Sequence, residues 1–195
     1  LRKLGSPLQG HPSVISTPWV EASTGSLGQG LSAALGMALG FHHRGEEHKK
    51  VYVMIGDGEL QEGEVWEALM CGANFNLNNL CVILDYNKMQ SDDLNENIMK
   101  LEPVSKKFES FNWNVISIDG HNFKEIENSF NNFLQEKNKP TIIISNSIKG
   151  KGISFMEGNP AWHGSVKIKT EIVSSFLEFY FLPQDHFFVC VLFCC

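Results

Sequence analysis

Four short runs of β-branched and apolar residues, at 51–55, 80–84, 115–118 and 141–145, restrict this chain more than any other feature. Each has the length of a strand rather than of a helix. The first ends at Gly56-Asp57-Gly58, as expected for a strand buried on both faces. A helix is expected from about 61 to 73, and Phe123, Ile126, Phe130, Phe133 and Leu134 recur at helical spacing between the last two runs. Strands alternating with helices make a parallel sheet covered on both sides, so the expected class is α/β: a three-layer α/β/α domain around a mostly parallel sheet. Earlier in the chain, 26–43 carries Leu27, Leu31, Ala34, Leu35, Ala38 and Leu39 at helical spacing. Gly28, Gly30, Gly36 and Gly40 thin one face of it, which reads as a buried helix against which another backbone can lie. Residues 1–24, rich in Gly, Pro, Ser and Thr, read as loop.

A chain of 195 residues can hide roughly 70% of its unfolded surface in one core, so a single domain is expected. Lys and Arg number 16 against 22 Asp and Glu, a net charge of −6. That balance argues against nucleic acid or an anionic membrane as the main partner, since both need excess cations to neutralise phosphate. No run reaches the roughly 18 apolar residues of a membrane span, and the start lacks a signal-peptide pattern. The five cysteines, with Cys190, Cys194 and Cys195 crowded at the end, do not form a secreted disulfide framework, and a cytoplasmic protein is expected. The first residue is Leu1 rather than Met, which suggests a fragment of a longer reading frame. The domain is expected over 1–165, and 166–195 is an atypical hydrophobic, Cys-rich tail. Lipid attachment at that Cys-Cys end is weaker than two alternatives, a mispredicted terminus or a segment that borrows a partner surface.

In open parallel sheets, ligands sit beyond the carboxyl ends of the strands. Gly56-Asp57-Gly58 and Asp85-Tyr86-Asn87 both fall there. Asp57 offers an anionic oxygen and Asn87 a neutral one, and Mg²⁺ takes one or two carboxylates with substrate phosphates completing its shell. The pair therefore predicts a diphosphate ligand, with the following helix turning its positive end toward it. The plainer alternative is that Asp57 caps a helix and Asn87 makes a turn. Gly28-Gln29-Gly30-Leu31-Ser32-Ala33 matches the spacing of a dinucleotide fingerprint, but no strand precedes it, so helix packing is preferred. Lys149-Gly150-Lys151-Gly152 follows the last strand, where its cations can reach phosphate or simply be solvated. His163, in Trp162-His163-Gly164, and His11, in Gly10-His11-Pro12, are either structural or proton carriers.

Taken together, these segments resemble the diphosphate-binding half of transketolase over roughly 5–165, with Ser23-Thr24-Gly25-Ser26-Leu27-Gly28-Gln29-Gly30, Gly56-Asp57-Gly58-Glu59-Leu60-Gln61-Glu62-Gly63 and Asp85-Tyr86-Asn87-Lys88-Met89-Gln90-Ser91-Asp92 in family order. The resemblance is closest to the separately encoded N-terminal subunit of split transketolases. It implies a thiamine diphosphate-binding fold and the cofactors thiamine diphosphate and Mg²⁺ or Ca²⁺. It further implies Asp57, Asn87 and the Met89 carbonyl as metal ligands. Gly25 and Leu27 match aminopyrimidine contacts, Gly56, Gly58, Lys149 and His163 the diphosphate side, and His11 and His163 catalytic histidines near the reacting carbon. The implied reaction moves a two-carbon ketol unit from a ketose phosphate to an aldose phosphate. The Glu that activates the aminopyrimidine has no match here, and Glu62 instead resembles a subunit-contact residue. A C-terminal, pyrimidine-binding partner subunit is therefore implied, in a dimer or heterotetramer. Part of the family domain, with further substrate histidines, is expected to precede Leu1. Alternatives are a 1-deoxyxylulose-5-phosphate synthase, a 2-oxo acid dehydrogenase, or a non-catalytic remnant acting as an assembly partner; the segment from Lys149 to His163 favours transketolase.

Overall fold

The computed structural model describes residues 4–164. Residues 4–24 hold turns and bends without helix or strand. In chain order follow α1 (Gln29–His43), β1 (Val51–Gly56), a 3₁₀ turn (Gly58–Gln61), α2 (Gly63–Asn74), β2 (Leu80–Tyr86), α3 (Asn95–Ile98), α4 (Val104–Ser110), β3 (Asn114–Asp119), α5 (Phe123–Gln135), β4 (Thr141–Asn146) and a second 3₁₀ turn (Pro160–Trp162). The four strands form one parallel sheet in the order β1-β2-β4-β3. The expected three-layer α/β/α class is the one observed.

Period-two alternation divides the strand residues between two cores. Val53, Val82, Ile142 and Val115 lie in one row across the sheet. With Ile55, Leu84 and Ile144 they pack against Leu31, Ala34, Val65, Leu69 and Phe108 of α1, α2 and α4. On the opposite face, Cys81, Ile118 and Ile143 pack with Phe133 of α5, and Tyr52, Ile116, Ile126 and Phe130 close around them. The placement follows from crossover handedness. Passing from β1 to β2 and on to β3 moves one way along the sheet, while returning from β3 to β4 moves back, so a constant right-handed crossover needs the opposite face for α5. All four strands thus present their carboxyl ends on one edge.

Several expectations are corrected. The strand expected at 51–55 is buried on one face only, because β1 is an edge strand of the described sheet, and Tyr52, Met54 and Gly56 are half-buried. The helix expected from about 61 to 73 is α2, which starts two residues later because Glu62 takes an extended conformation (φ −76°, ψ 132°) between the 3₁₀ turn and α2. Helix α1 buries only the stripe Gly30, Leu31, Ala34 and Ala38. Gly36 and Gly40 are exposed, and a Cβ on either meets nothing within 4 Å, so neither makes room for another backbone among the described residues. In α5, Phe123 and Leu134 face outward, at the margins of the stripe that Ile126, Phe130 and Phe133 bury. No helix among the described residues is long and apolar enough to cross a membrane. The tail at 166–195 lies outside the described residues.

Candidate functional site

The register of the sheet builds the site. Gly56 is paired with Asp85 and Asp85 with Ser145, so the loops that leave β1, β2 and β4 start side by side. Between them is a cavity of about 170 Å³. Leu27, Gly56, Asp57, Gly58, Asn87 and Met89 line one part of it, and Lys149 and His163 also reach it. Eight sequence-predicted residues therefore meet. His11 and Gly25 do not line the cavity. They pack on one another beside it: Gly25 has φ +134°, and a Cβ there would lie 2.6 Å from the Cγ of exposed His11. Only glycine fits so close an approach.

Asp57 is 2% exposed. Its Oδ2 accepts from the Lys88 N–H at 2.5 Å and its Oδ1 from the Gly58 N–H at 2.8 Å. The second bond caps the 3₁₀ turn, so the cap reading of Asp57 holds alongside any other role. That turn has four residues, and α2 begins only at Gly63, so the expected positive end of a long helix is not beside Asp57. Burial raises the Asp57 pKa from 3.8 to about 6; the two backbone N–H groups oppose the rise and the Asp85 carboxylate adds to it. Two carboxylates thus share a confined strand end, and no cationic side chain forms an ion pair with either among the described residues.

The neighbouring groups are held in place. Asn87 donates from Nδ2 to Asp85 Oδ2 at 3.0 Å, which turns its Oδ1 the other way, where it accepts from the Met89 N–H at 2.9 Å. Ser147 holds the other Asp85 oxygen. Lys88, at φ +65°, passes on to a short hairpin in which Met89 bridges Leu94 and the Asn95 N–H donates to the Lys88 carbonyl at 2.9 Å. Across the cavity, Lys149 Nζ lies 3.2 Å from His163 Nδ1. Burial, then the Lys149 charge, lowers the His163 pKa against an opposing pull from Asp92. The shift favours the neutral imidazole, which would carry its proton on Nε2 when it accepts from the Lys149 ammonium at Nδ1.

Sequence reasoning missed Glu59, which is 2% exposed and lines the cavity floor, and His121, whose Nε2 accepts from the Ile148 N–H at 2.8 Å, next to Lys149. Glu59 in a first helical turn looks like an ordinary dipole-compensating acid, so only burial marks it. Among the described residues no group of three or more His, Cys, Asp and Glu could hold a metal. A hard cation here would instead draw on Asp57, an amide oxygen and a carbonyl, a donor set suited to Mg²⁺ or Ca²⁺.

Comparison with known proteins gives concordant matches. The family model described as transketolase, thiamine diphosphate binding domain, matches residues 1–191. A 6-deoxy-6-sulfo-D-fructose transketolase subunit from Clostridium sp. (strain MSTE9) is 42% identical over 174 residues, 88% of this chain and 62% of that protein. One subunit of an apulose-4-phosphate transketolase from Actinobacillus succinogenes is 40% identical over 167 residues, 86% of this chain and 60% of that protein. The crystal structure of a transketolase from Campylobacter jejuni superposes with a TM-score of 0.76 at 32% identity, covering 82% of this chain and 26% of that one. The chain thus spans about 60% of the length of these subunit relatives and about a quarter of that solved chain.

Proposed function

Since the chain belongs to the transketolase thiamine diphosphate-binding domain family, we propose that it is the diphosphate-holding part of a two-subunit transketolase, moving a two-carbon ketol unit between sugar phosphates. The observation that carries this reading is the meeting of Asp57, Asn87 and Met89 with Lys149 and His163 around one cavity. Asp57, Asn87 and the Met89 carbonyl would hold Mg²⁺ or Ca²⁺. Lys149 supplies positive charge for phosphate, and Gly56 and Gly58 keep the strand end free of side chains. His163, when neutral with its proton on Nε2, can donate a hydrogen bond to a substrate oxygen, and His11 beside Gly25 can serve the same end. When bound, thiamine diphosphate supplies the electron sink that carbon–carbon cleavage requires. The cavity of about 170 Å³ falls short of the roughly 300–1,000 Å³ of a complete small-molecule pocket. A site of that size suits the metal and diphosphate end, and a pyrimidine-binding partner subunit would complete the rest. Cys71 and Cys81 carry free thiols, which agrees with a cytoplasmic setting.

Combined with its pyrimidine-binding partner subunit, the chain is expected to convert xylulose 5-phosphate and ribose 5-phosphate to sedoheptulose 7-phosphate and glyceraldehyde 3-phosphate. Carbon dioxide released from pyruvate instead would replace this reading with a 2-oxo acid reaction. No turnover and no cofactor binding would mean a non-catalytic assembly partner.

The cation proposal also sets a pH dependence. Protonated Asp57 cannot ligate a metal, and its pKa is raised to about 6. Calorimetric titration with Ca²⁺ should therefore give an affinity about tenfold lower at pH 5 than at pH 7. The sign for folding is opposite. The native state keeps this proton while the unfolded chain loses it, so the metal-free protein loses stability as pH rises from 3.8 to about 6. Equal Ca²⁺ affinity at both pH values would remove Asp57 from the ligand set.

A further inference from the structure

The buried carboxylate of Glu59 joins two segments that the chain places far apart. Its Oε1 accepts from the Gly28 N–H at 2.7 Å, and its Oε2 from the Gly56 N–H at 3.1 Å. Gly28 is buried, stands at the N-cap of α1 with φ +84°, and offers no side chain to cap the helix. Glu59 reaches it from 31 residues away. On one side of the bridge is the loop that carries Gly25 and Leu27; on the other is the end of β1 that leads into Asp57. We propose that Glu59 is a positioning residue that sets the separation between the two ends of the cofactor cradle, the aminopyrimidine loop and the diphosphate end. This rests on the functional reading above.

The physics lies in the number of acceptors. An ionised carboxylate accepts on both oxygens, and charge-assisted bonds are roughly twice as strong as neutral ones. A glutamine has one acceptor oxygen and an NH₂ group, so in the same place it turns a donor toward one of the two backbone N–H groups. With the Gly28 group buried and the Gly56 group half-buried, that mismatch is relieved by moving the Gly28 loop away from the strand end, because Gly56 is held in the β1–β2 ladder. Aspartate keeps the charge but is one methylene shorter and cannot reach both donors. The consequence is selective: ligands that span both ends of the cradle lose affinity, while ligands that use only the diphosphate end do not.

The test applies two probes, Mg²⁺ with thiamine diphosphate and Mg²⁺ with inorganic pyrophosphate, to the full chain in complex with its partner subunit. In Glu59→Gln, thiamine diphosphate should bind at least tenfold more weakly and pyrophosphate less than twofold more weakly. In the ¹⁵N-labelled chain the Gly28 and Gly56 amide protons should resonate downfield and exchange slowly, and the substitution should move both. Equal losses for the two probes, or none, would overturn the positioning role. If Glu59→Gln does not fold, Glu59→Asp gives the same comparison, and rapid exchange of either glycine amide in the unmodified chain overturns the bridge itself. A wild-type complex that binds neither probe overturns the functional reading, and the inference with it.

Discussion

Asp57→Ala is expected to weaken metal-dependent binding of thiamine diphosphate by more than about 100-fold. Groups that merely orient metal ligands cost roughly 10- to 100-fold when removed, and Asp57 is the one carboxylate in the proposed ligand set. Its bond from the Lys88 N–H also holds the loops of β1 and β2 together, and its bond from Gly58 caps the 3₁₀ turn, so the substitution loosens the site as well as neutralising it. His163→Ala should cost far less, because His163 meets Lys149 and is outside the proposed cation ligand set. Calorimetry of the chain with its partner, with and without Mg²⁺, separates the two variants. Comparable losses for both would refute the assignment of Asp57 to the cation.

The largest effect on stability is expected at Phe108. Its ring is fully buried and stacks on Trp66 with centroids 5.9 Å apart and planes 18° from parallel, which ties α4 to α2 within the larger core. Trp66 cannot follow a collapsing cavity freely, because its Nε1 donates to the Leu60 carbonyl at 2.8 Å. Phe108→Ala should therefore cost about 3–5 kcal/mol, a large share of the roughly 5–15 kcal/mol that a domain has in total. At about 2–4 °C per kcal/mol for a chain of this size, the melting temperature should fall by about 6–20 °C. Phe108 does not line the site, so cofactor affinity measured well below the transition should change little. A shift of under 2 °C would mean that the stacked pair adds nothing beyond surface packing.

The strands were legible because four short apolar runs can hide both their polar backbone and their side chains only as strands of a covered sheet, and each extends one or two residues past the expected run at a strand end. The candidate site was legible for a related reason. Gly-Asp-Gly and Asp-Tyr-Asn stand where strands stop, and parallel strands stop on one edge. The break at Glu62 was not legible, since Gln61, Glu62 and Gly63 have no breaker strong enough to end a helix, and the extended Glu62 backbone is set by its surroundings. Nor was the exposure of Gly36 and Gly40, because a face rich in small residues looks the same whether it is covered or bare.

What residue order alone determined is local: where the chain extends, where it coils, and which oxygens sit at strand ends, all consequences of side-chain periodicity and backbone freedom. The strand order β1-β2-β4-β3 came only with the folded molecule, because nothing in a run of apolar residues names its neighbour. Folding also buried Asp57 beside Asp85 and brought Glu59 across to Gly28. Both depend on distances between segments about thirty residues apart, and charge, burial and hydrogen bonding between such segments exist only once the sheet has set them side by side.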